Sequence, residues 1–182
     1  IEEDDHAELG IENPTVNESA GTVSITVSLD KPAIGRVSVM YSTADQTADS
    51  PADYTSTTGT ITFEPGELSK TIQVPITDNA IVEGNDIFLV NLTDLVAEGS
   101  DVIISQGQAE VTIEDDDEAT ISIDDVSVDE SAGTVNLIVT LSQASANTIT
   151  VDFRPINQTA TKPADYLDHT GTLSFSPGEL TQ

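Results

Sequence analysis

The residues of this sequence whose types and spacing could support chemistry are carboxylates. Five of them run consecutively from Glu114 to Glu118. Further acids lie in turn-rich segments between apolar stretches: Glu18, Asp53, Asp78, Glu83 and Asp86. Crowded carboxylates repel one another without a counter-ion, and hard oxygen ligands suit Ca²⁺, which accepts 6 to 8 oxygens at roughly 2.3–2.6 Å. Mg²⁺ dehydrates reluctantly and fits such a cage less well.

The overall charge also points to cations. The chain has 33 Asp and Glu against 5 Lys and Arg, a formal charge of −28. Nucleic acids and anionic membrane surfaces are poor partners, because phosphate contacts need Lys and Arg. Self-repulsion of this size destabilises a compact state unless cations are bound.

The sequence lacks the motifs that indicate other classes of functional site. Without cysteine, thiolate metal sites, thiol catalysis and disulfides are excluded. The acid run does not match the EF-hand loop, and we find no Gly-x-Ser-x-Gly elbow or Gly-rich phosphate loop. His6 and His169 fit ordinary surface histidines. No apolar run approaches the roughly 20 residues that span a bilayer. We therefore predict a protein that is not an enzyme and does not insert into a membrane.

The chain contains a tandem repeat. The motif Glu18–Val23 recurs as Glu130–Val135, an offset of 112 residues (130 − 18). Two further motifs, Pro-Ala-Asp-Tyr and Phe-x-Pro-Gly-Glu-Leu, recur with the same offset. A repeat of this length indicates an array of similar modules.

The repeat divides the chain into three parts. Residues 1–6 match the acidic end of a repeat, residues 7–117 form a complete repeat, and residues 118–182 correspond to the first half of a second one. Glu3, Asp4 and Asp5 are then the end of a site whose other ligands precede this chain, and we expect them to hold no ion.

Within the first repeat the hydrophobic period is two. Apolar Val23, Ile25 and Val27 alternate with Ser24, Thr26 and Ser28, which indicates a half-buried strand. Similar alternating stretches recur along the repeat and are separated by clusters of Gly, Pro, Asp and Asn. This pattern predicts an all-β, immunoglobulin-like antiparallel sandwich of about seven strands, in tandem.

The second repeat carries only the opening strands of this pattern. Half a sandwich would expose one apolar face and an open edge that invites pairing. We expect this half to be completed, either by a homodimeric or domain-swapped partner or by a continuation of the chain.

The scattered acids of the first repeat fall at strand ends. Loops between alternate strand pairs of a sandwich gather at one end, so we expect Glu18, Asp53, Asp78, Glu83, Asp86 and Asp115, Asp116 and Asp117 to converge. The alternative is that Asp115–Asp117 forms a solvated linker and that the other acids only keep the protein soluble.

Taken together, these motifs resemble the Calx-beta domain. The resemblance rests on Glu-Ser-Ala-Gly-Thr-Val, on Ala-Asp-Tyr with Thr-Gly-Thr-Ile-Thr-Phe, on Ile-Thr-Asp-Asn-Ala-Ile-Val-Glu-Gly and on the closing Ile-Glu-Asp-Asp-Asp. That family occurs in the cytosolic regulatory region of sodium/calcium exchangers, in integrin beta-4 and in large bacterial surface proteins. It implies an immunoglobulin-like sandwich with Ca²⁺ bound at one end.

The resemblance also implies a ligand set. In the first repeat it comprises Glu18, Asp53, Asp78, the carbonyl of Ile81, Glu83, Asp86, Asp115, Asp116 and Asp117. In the second repeat only Glu130 and Asp165 match, an incomplete site. Asn79 and Ala80 stand where calcium-sensing members have further aspartates, so we expect fewer ions or weaker binding.

The functional expectation is a calcium-binding module of a larger protein. Ca²⁺ would stiffen the junction with neighbouring repeats in an adhesive or spacer array at a cell surface, where calcium at about 10⁻⁴–10⁻³ M fills weak sites. One alternative is a regulatory calcium sensor attached to a transporter or enzyme, in a cytosolic region. Another is a structural module that binds no metal.

Overall fold

The computed structural model describes residues 6–182. The acids Glu3, Asp4 and Asp5 lie outside the described residues. The chain forms two compact units. The first contains the described residues up to Asn79 together with Gly84–Asp116, and the second contains Ala80–Glu83 and Asp117–Gln182.

The structure is built from strands. In chain order they are β1 (Ala7–Ile11), β2 (Thr15–Asn17), β3 (Thr22–Leu29), β4 (Val37–Asp45), β5 (Thr58–Phe63), β6 (Ser69–Pro75), β7 (Ile81–Val82), β8 (Asp86–Ala97), β9 (Val102–Gln106), β10 (Gln108–Glu114), β11 (Ile121–Ile123), β12 (Val139–Leu141), β13 (Ala144–Ser145), β14 (Ile149–Phe153) and β15 (Gly171–Phe175).

Helical structure in the described part of the chain is limited to two 3₁₀ turns, Glu18–Ala20 and Glu130–Ala132. Within residues 6–182 we find no helix of the length and apolar character that a bilayer crossing requires.

The first unit contains two sheets. One has the order β6-β3-β1-β9 and the other the order β2-β10-β8-β4-β5. Neighbouring strands are antiparallel, except for the parallel pairs β1–β9 and β2–β10. The alternation read from the sequence decides which side chains lie between the sheets, because successive residues of a strand point to opposite faces. Leu9, Ile25, Val27, Val39 and Phe63 are all fully buried in this core. The predicted all-β sandwich is confirmed.

Two strands of the first unit were not predicted. β2 is only three residues long, and β9 begins with the unbroken apolar run Val102–Ile104, which shows no alternation. Both lie at the edge of a sheet and pair in parallel with a strand distant in sequence. Their formation depends on that long-range pairing, so local periodicity does not reveal them.

The second unit consists of three two-stranded pairings. β11 pairs with β12 and β14 with β15, both antiparallel, while β13 pairs in parallel with β7. Its buried cluster is small and contains Val139, Leu141 and Phe175. Many of its other large aliphatic side chains are exposed.

Tyr54 anchors the segment that follows β4. Its ring is buried and stacks on Phe88, with ring centroids 4.2 Å apart. Its hydroxyl donates a hydrogen bond of 2.6 Å to Oδ1 of Asp45. Burial, together with this bond to a carboxylate, raises the pKa of Tyr54 to about 12.

This raised pKa predicts a loss of stability at high pH. The folded state holds the phenol proton more tightly than the unfolded chain, whose tyrosine pKa is 10.0. The contribution is complete below pH 10 and is lost as pH rises to about 12. We expect the free energy of unfolding, measured by urea titration across this range, to fall less in Tyr54→Phe than in the parent. Tyr41→Phe, at a partly exposed position, is the matched control. Its free energy of unfolding should fall with pH as that of the parent does. Equal pH dependence in both variants would contradict this account.

Candidate metal site

Glu18 is held by a capped 3₁₀ turn. Asn17 precedes the turn, and its Oδ1 accepts a hydrogen bond of 3.0 Å from the backbone N–H of Ser19. Gly21 closes the turn with φ +70°, a conformation that favours glycine. The Glu18 side chain is only 3 % exposed. A buried carboxylate is costly unless polar or cationic groups surround it.

Asp78 reaches this turn through a backbone contact. After β6 ends at Pro75, the N–H of Ile76 donates to the carbonyl of Gly21 over 3.1 Å. This bond ties the segment that leaves β6 to the turn that holds Glu18. Nδ2 of Asn79 also donates to Oε2 of Glu18, at 3.4 Å.

Asp115 and Asp116 reach the same turn through strand register. β10 runs parallel to β2, and Glu114 lies opposite Asn17. Because parallel strands advance in the same direction, the residues after Glu114 lie beside those after Asn17. The Ser19 hydroxyl donates to Oδ2 of Asp116 at 3.1 Å.

These three segments bring carboxylates into one cluster. One oxygen each from Glu18, Asp78 and Asp116 lies within 4.8 Å of the others. Oxygens of Glu18 and Asp115 also come within 4.8 Å of each other. Like charges at such distances repel, more strongly where water is excluded. The donors are all hard oxygens, and one of them is buried, so the residues fit a Ca²⁺ ion better than a softer metal.

Asp53 and Asp86 have other surroundings. The Asp53 carboxylate accepts a hydrogen bond of 2.7 Å from the N–H of Asp49, within its own loop. Its carbonyl accepts from the N–H of Thr77, so its backbone lies next to the segment that carries Asp78. Asp86 opens β8 opposite Ile113. Among the described residues neither carboxylate belongs to the acid groups spaced for a metal, and their ligand roles stay predictions.

Three other predicted ligand positions belong to the second unit. Ile81 and Glu83 lie in the segment Ala80–Glu83 that clusters with that unit, as does Asp117. Ile81 pairs with Ala144 across the β7–β13 ladder. The Asp117 carboxylate accepts a hydrogen bond of 2.9 Å from Nε2 of Gln143.

The second repeat reproduces the turn but not the burial. Asp129 caps the turn Glu130–Ala132 and accepts a bond of 2.9 Å from the N–H of Ser131. Hydrogen bonds from the Ser131 side chain and backbone lower the pKa of Asp129. Glu130 is nevertheless exposed. Asp165 accepts from the N–H of Thr161 at 2.8 Å, which repeats the local bond of Asp53.

Sequence reasoning missed the polar residues that support the acids. Asn17 carries a recognisable local signal, because Asn two residues before a serine N–H is a typical turn cap. Asn79 adds no charge to the site, but its amide donates a hydrogen bond to Glu18. No signal in a single sequence identifies that contact, because the two residues are 61 positions apart.

Comparison with known proteins identifies relatives over nearly the whole chain. A family model described as "Calx-beta domain" matches residues 2–117 and 118–182. Sodium/calcium exchanger 3 of Mus musculus is 33 % identical over 188 residues, covering 91 % of this chain and 20 % of the exchanger. The chain thus spans about a fifth of the length of the curated relatives it matches.

Solved structures agree with the fold. The structure of CBD12 from CALX1.2 matches with a TM-score of 0.55 and 25 % identity, over 96 % of this chain and 74 % of that chain. The structure of the calcium binding domain CBD12 of CALX1.1 matches with a TM-score of 0.56 over 96 % of this chain and 72 % of that one. At 24 % identity, this second likeness concerns the fold alone.

Because the carboxylates of the cluster are crowded, we predict that removing one of their charges stabilises the metal-free protein. In the presence of a chelator, we expect Asp78→Asn and Asp116→Asn to raise the free energy of unfolding by up to about 1 kcal/mol, because carboxylate repulsion is relieved. The gain should shrink at high salt. Urea unfolding of the parent, both variants and Glu110→Gln, an exposed acid on β10, measures the effect. Cluster variants no more stable than Glu110→Gln would show that the acids do not repel.

Proposed function

Because this chain belongs to the Calx-beta domain family, we propose that its first unit is a calcium-binding regulatory module of a larger protein. The observation that carries the proposal is the cluster of Glu18, Asp78 and Asp116, whose oxygens lie within 4.8 Å of one another. The proposal assigns the chain a binding role rather than a catalytic one.

Calcium is the cation that best suits this cluster. Three carboxylates from separate segments supply hard oxygens and a charge of about −3 in a partly buried place. Ca²⁺ tolerates irregular geometry and can complete its 6 to 8 ligands with water and backbone carbonyls. Asp115 is a further ligand in this proposal, because its carboxylate approaches Glu18. Mg²⁺ would have to shed more of its tightly held water.

The relatives favour regulation over adhesion. The matched proteins include sodium/calcium exchangers, of which this chain spans about a fifth. The family resemblance implies a cytosolic regulatory region in such transporters, so we place the module on the cytosolic side of a larger protein. The adhesive or spacer role at a cell surface is the second candidate, and calcium affinity separates the two.

The regulatory event we propose is local and electrostatic. Without the ion, the acids after β10 are repelled by Glu18 and Asp78. With the ion they are drawn to the same cation, and the segment that leaves β10 becomes ordered. This segment leads directly into the second repeat. Calcium would thereby change the freedom of the link between repeats.

Calcium titration of the whole chain tests this function. Isothermal calorimetry should give a dissociation constant between about 10⁻⁷ and 10⁻⁵ M for a regulatory site, and near 10⁻⁴–10⁻³ M for an extracellular module. Asp116→Asn should weaken binding by about tenfold or more, because it removes a charged ligand. Glu110→Gln should leave binding unchanged.

Thermal stability gives an independent measurement. Calcium at 100 times the dissociation constant should stabilise the first unit by about 2.7 kcal/mol. Magnesium at the same concentration should have a smaller effect. An absence of both binding heat and thermal shift would refute the calcium site, whereas equal affinity in the parent and Asp116→Asn would place the ion elsewhere.

Asn79 offers a test of how charge sets affinity. Its amide donates to Glu18, so Asn79→Asp replaces a donor by a further acid. We expect calcium to bind about tenfold more tightly, because affinity follows ligand charge. Without metal the variant should be less stable than the parent, because one more carboxylate is repelled. Asn79→Ser removes the amide without adding charge and should not tighten binding. Unchanged calcium affinity in Asn79→Asp would contradict the assignment of this segment to the site.

A further inference from the structure

The Asp116 carboxylate lies on a segment without regular structure. β10 ends at Glu114, and residues 115–120 have no strand or helix assignment. The Asp116 side chain is also exposed, so packing does not fix its rotamer. One of its oxygens nevertheless lies within 4.8 Å of oxygens of Glu18 and Asp78. A polar contact therefore has more influence on its orientation than packing has.

The Ser19 hydroxyl supplies such a contact. Its Oγ donates to Oδ2 of Asp116 at 3.1 Å. Ser19 directly follows Glu18, in the turn that Asn17 caps and Gly21 closes. The bond therefore sets the distance between two proposed ligands, because its donor lies beside Glu18 on a fixed backbone. A carboxylate has two oxygens, so Oδ1 of Asp116 stays available for a cation while Oδ2 accepts from Ser19.

The same hydroxyl has a second acceptor. Oδ1 of Asn17 accepts from the backbone N–H of Ser19 at 3.0 Å and also from its Oγ. A serine hydroxyl carries one proton, so it cannot make a full hydrogen bond to both acceptors at once. Hydrogen bonds to a carboxylate are charge-assisted and roughly twice as strong as those to a neutral amide. In the metal-free protein the proton consequently favours Asp116 over Asn17.

The second repeat shows the competing arrangement. Its turn is capped by Asp129 at the position that Asn17 holds in the first repeat. The Asp129 carboxylate accepts from both the N–H and the Oγ of Ser131. In that turn the charged acceptor and the hydroxyl belong to the same few residues, so the hydroxyl is satisfied locally. The neutral Asn17 caps its turn through the Ser19 N–H and leaves the hydroxyl for Asp116.

We propose that Ser19 is a positioning residue of the calcium site, whose hydroxyl holds Asp116 beside Glu18 and thereby raises calcium affinity. This inference rests on the proposed calcium-binding function. Hydrogen-bond partners of metal ligands fix the orientation of those ligands, and their loss commonly weakens metal binding by roughly 10- to 100-fold. Without the hydroxyl, the ion itself would have to order the Asp116 side chain, and that loss of conformational freedom lowers affinity.

Calcium titration of the whole chain by calorimetry tests this role. Ser19→Ala should weaken binding by about tenfold, because it removes the hydroxyl but keeps the backbone N–H that Asn17 caps. Ser19→Thr keeps a hydroxyl and should bind calcium as the parent does. Ser131→Ala is the matched control, because it makes the same change in the equivalent turn of the second repeat. It should leave the affinity unchanged.

A cycle with Asp116 separates positioning from a general role of Ser19 in the turn. In Asp116→Ala the acceptor is absent, so adding Ser19→Ala should not weaken calcium binding further. A purely structural role would weaken binding equally in both backgrounds. That result, or an unchanged affinity of Ser19→Ala in a parent that binds calcium, would overturn the proposal.

The same cycle in chelator needs no calcium. Ser19→Ala should lower the urea midpoint of unfolding more in the parent than in Asp116→Ala, because only the parent loses the bond between the two side chains. Equal lowering in both backgrounds would also overturn the proposal. A parent that shows this coupling but binds no calcium would refute the calcium function itself. A parent that binds calcium, with Ser19→Ala as tight, would refute only the role of Ser19.

Discussion

The parallel pairing of β10 with β2 is the contact on which the candidate metal site depends. It places Glu114 opposite Asn17, so the acids that end the repeat lie beside the turn that begins it. The residues involved are almost a hundred positions apart, and Ser19 bonds to Asp116 across that separation. A strand of three residues thus determines where most of the negative charge of the site is held.

The carboxylates of this site oppose folding, because they repel one another. Burial of Glu18 near other carboxylates destabilises the metal-free state, in a chain that already carries a charge of −28. Donors from Ser19 and Asn79 to the cluster offset part of this cost. The apolar core between the two sheets supplies the stability that allows the cluster to persist. A bound cation would relieve the remaining repulsion, which is why calcium affinity and stability are coupled in our proposal.

Comparison of the two units shows which features of the site are formed by neighbouring residues and which need residues distant in sequence. Its turn has the same cap, from Asp129, and the same acid, Glu130. The loop bond of Asp165 also repeats that of Asp53. Glu130 is nevertheless exposed, whereas Glu18 is buried in a turn that lies beside the segment after β10. A capped turn is therefore insufficient, and strands from the second half of a repeat create the buried cluster.

The sequence by itself determined the fold class and the local turns. Period-two alternation specifies which face of each strand is buried, and Gly, Asn and Asp specify where the chain turns, because these are properties of neighbouring residues. The tertiary structure decided the edge strands β2 and β9 and the approach of Asp78 and Asp116 to Glu18. Each depends on strand order and register, which bring together residues far apart in the chain, and the pattern of a single sequence does not contain that pairing.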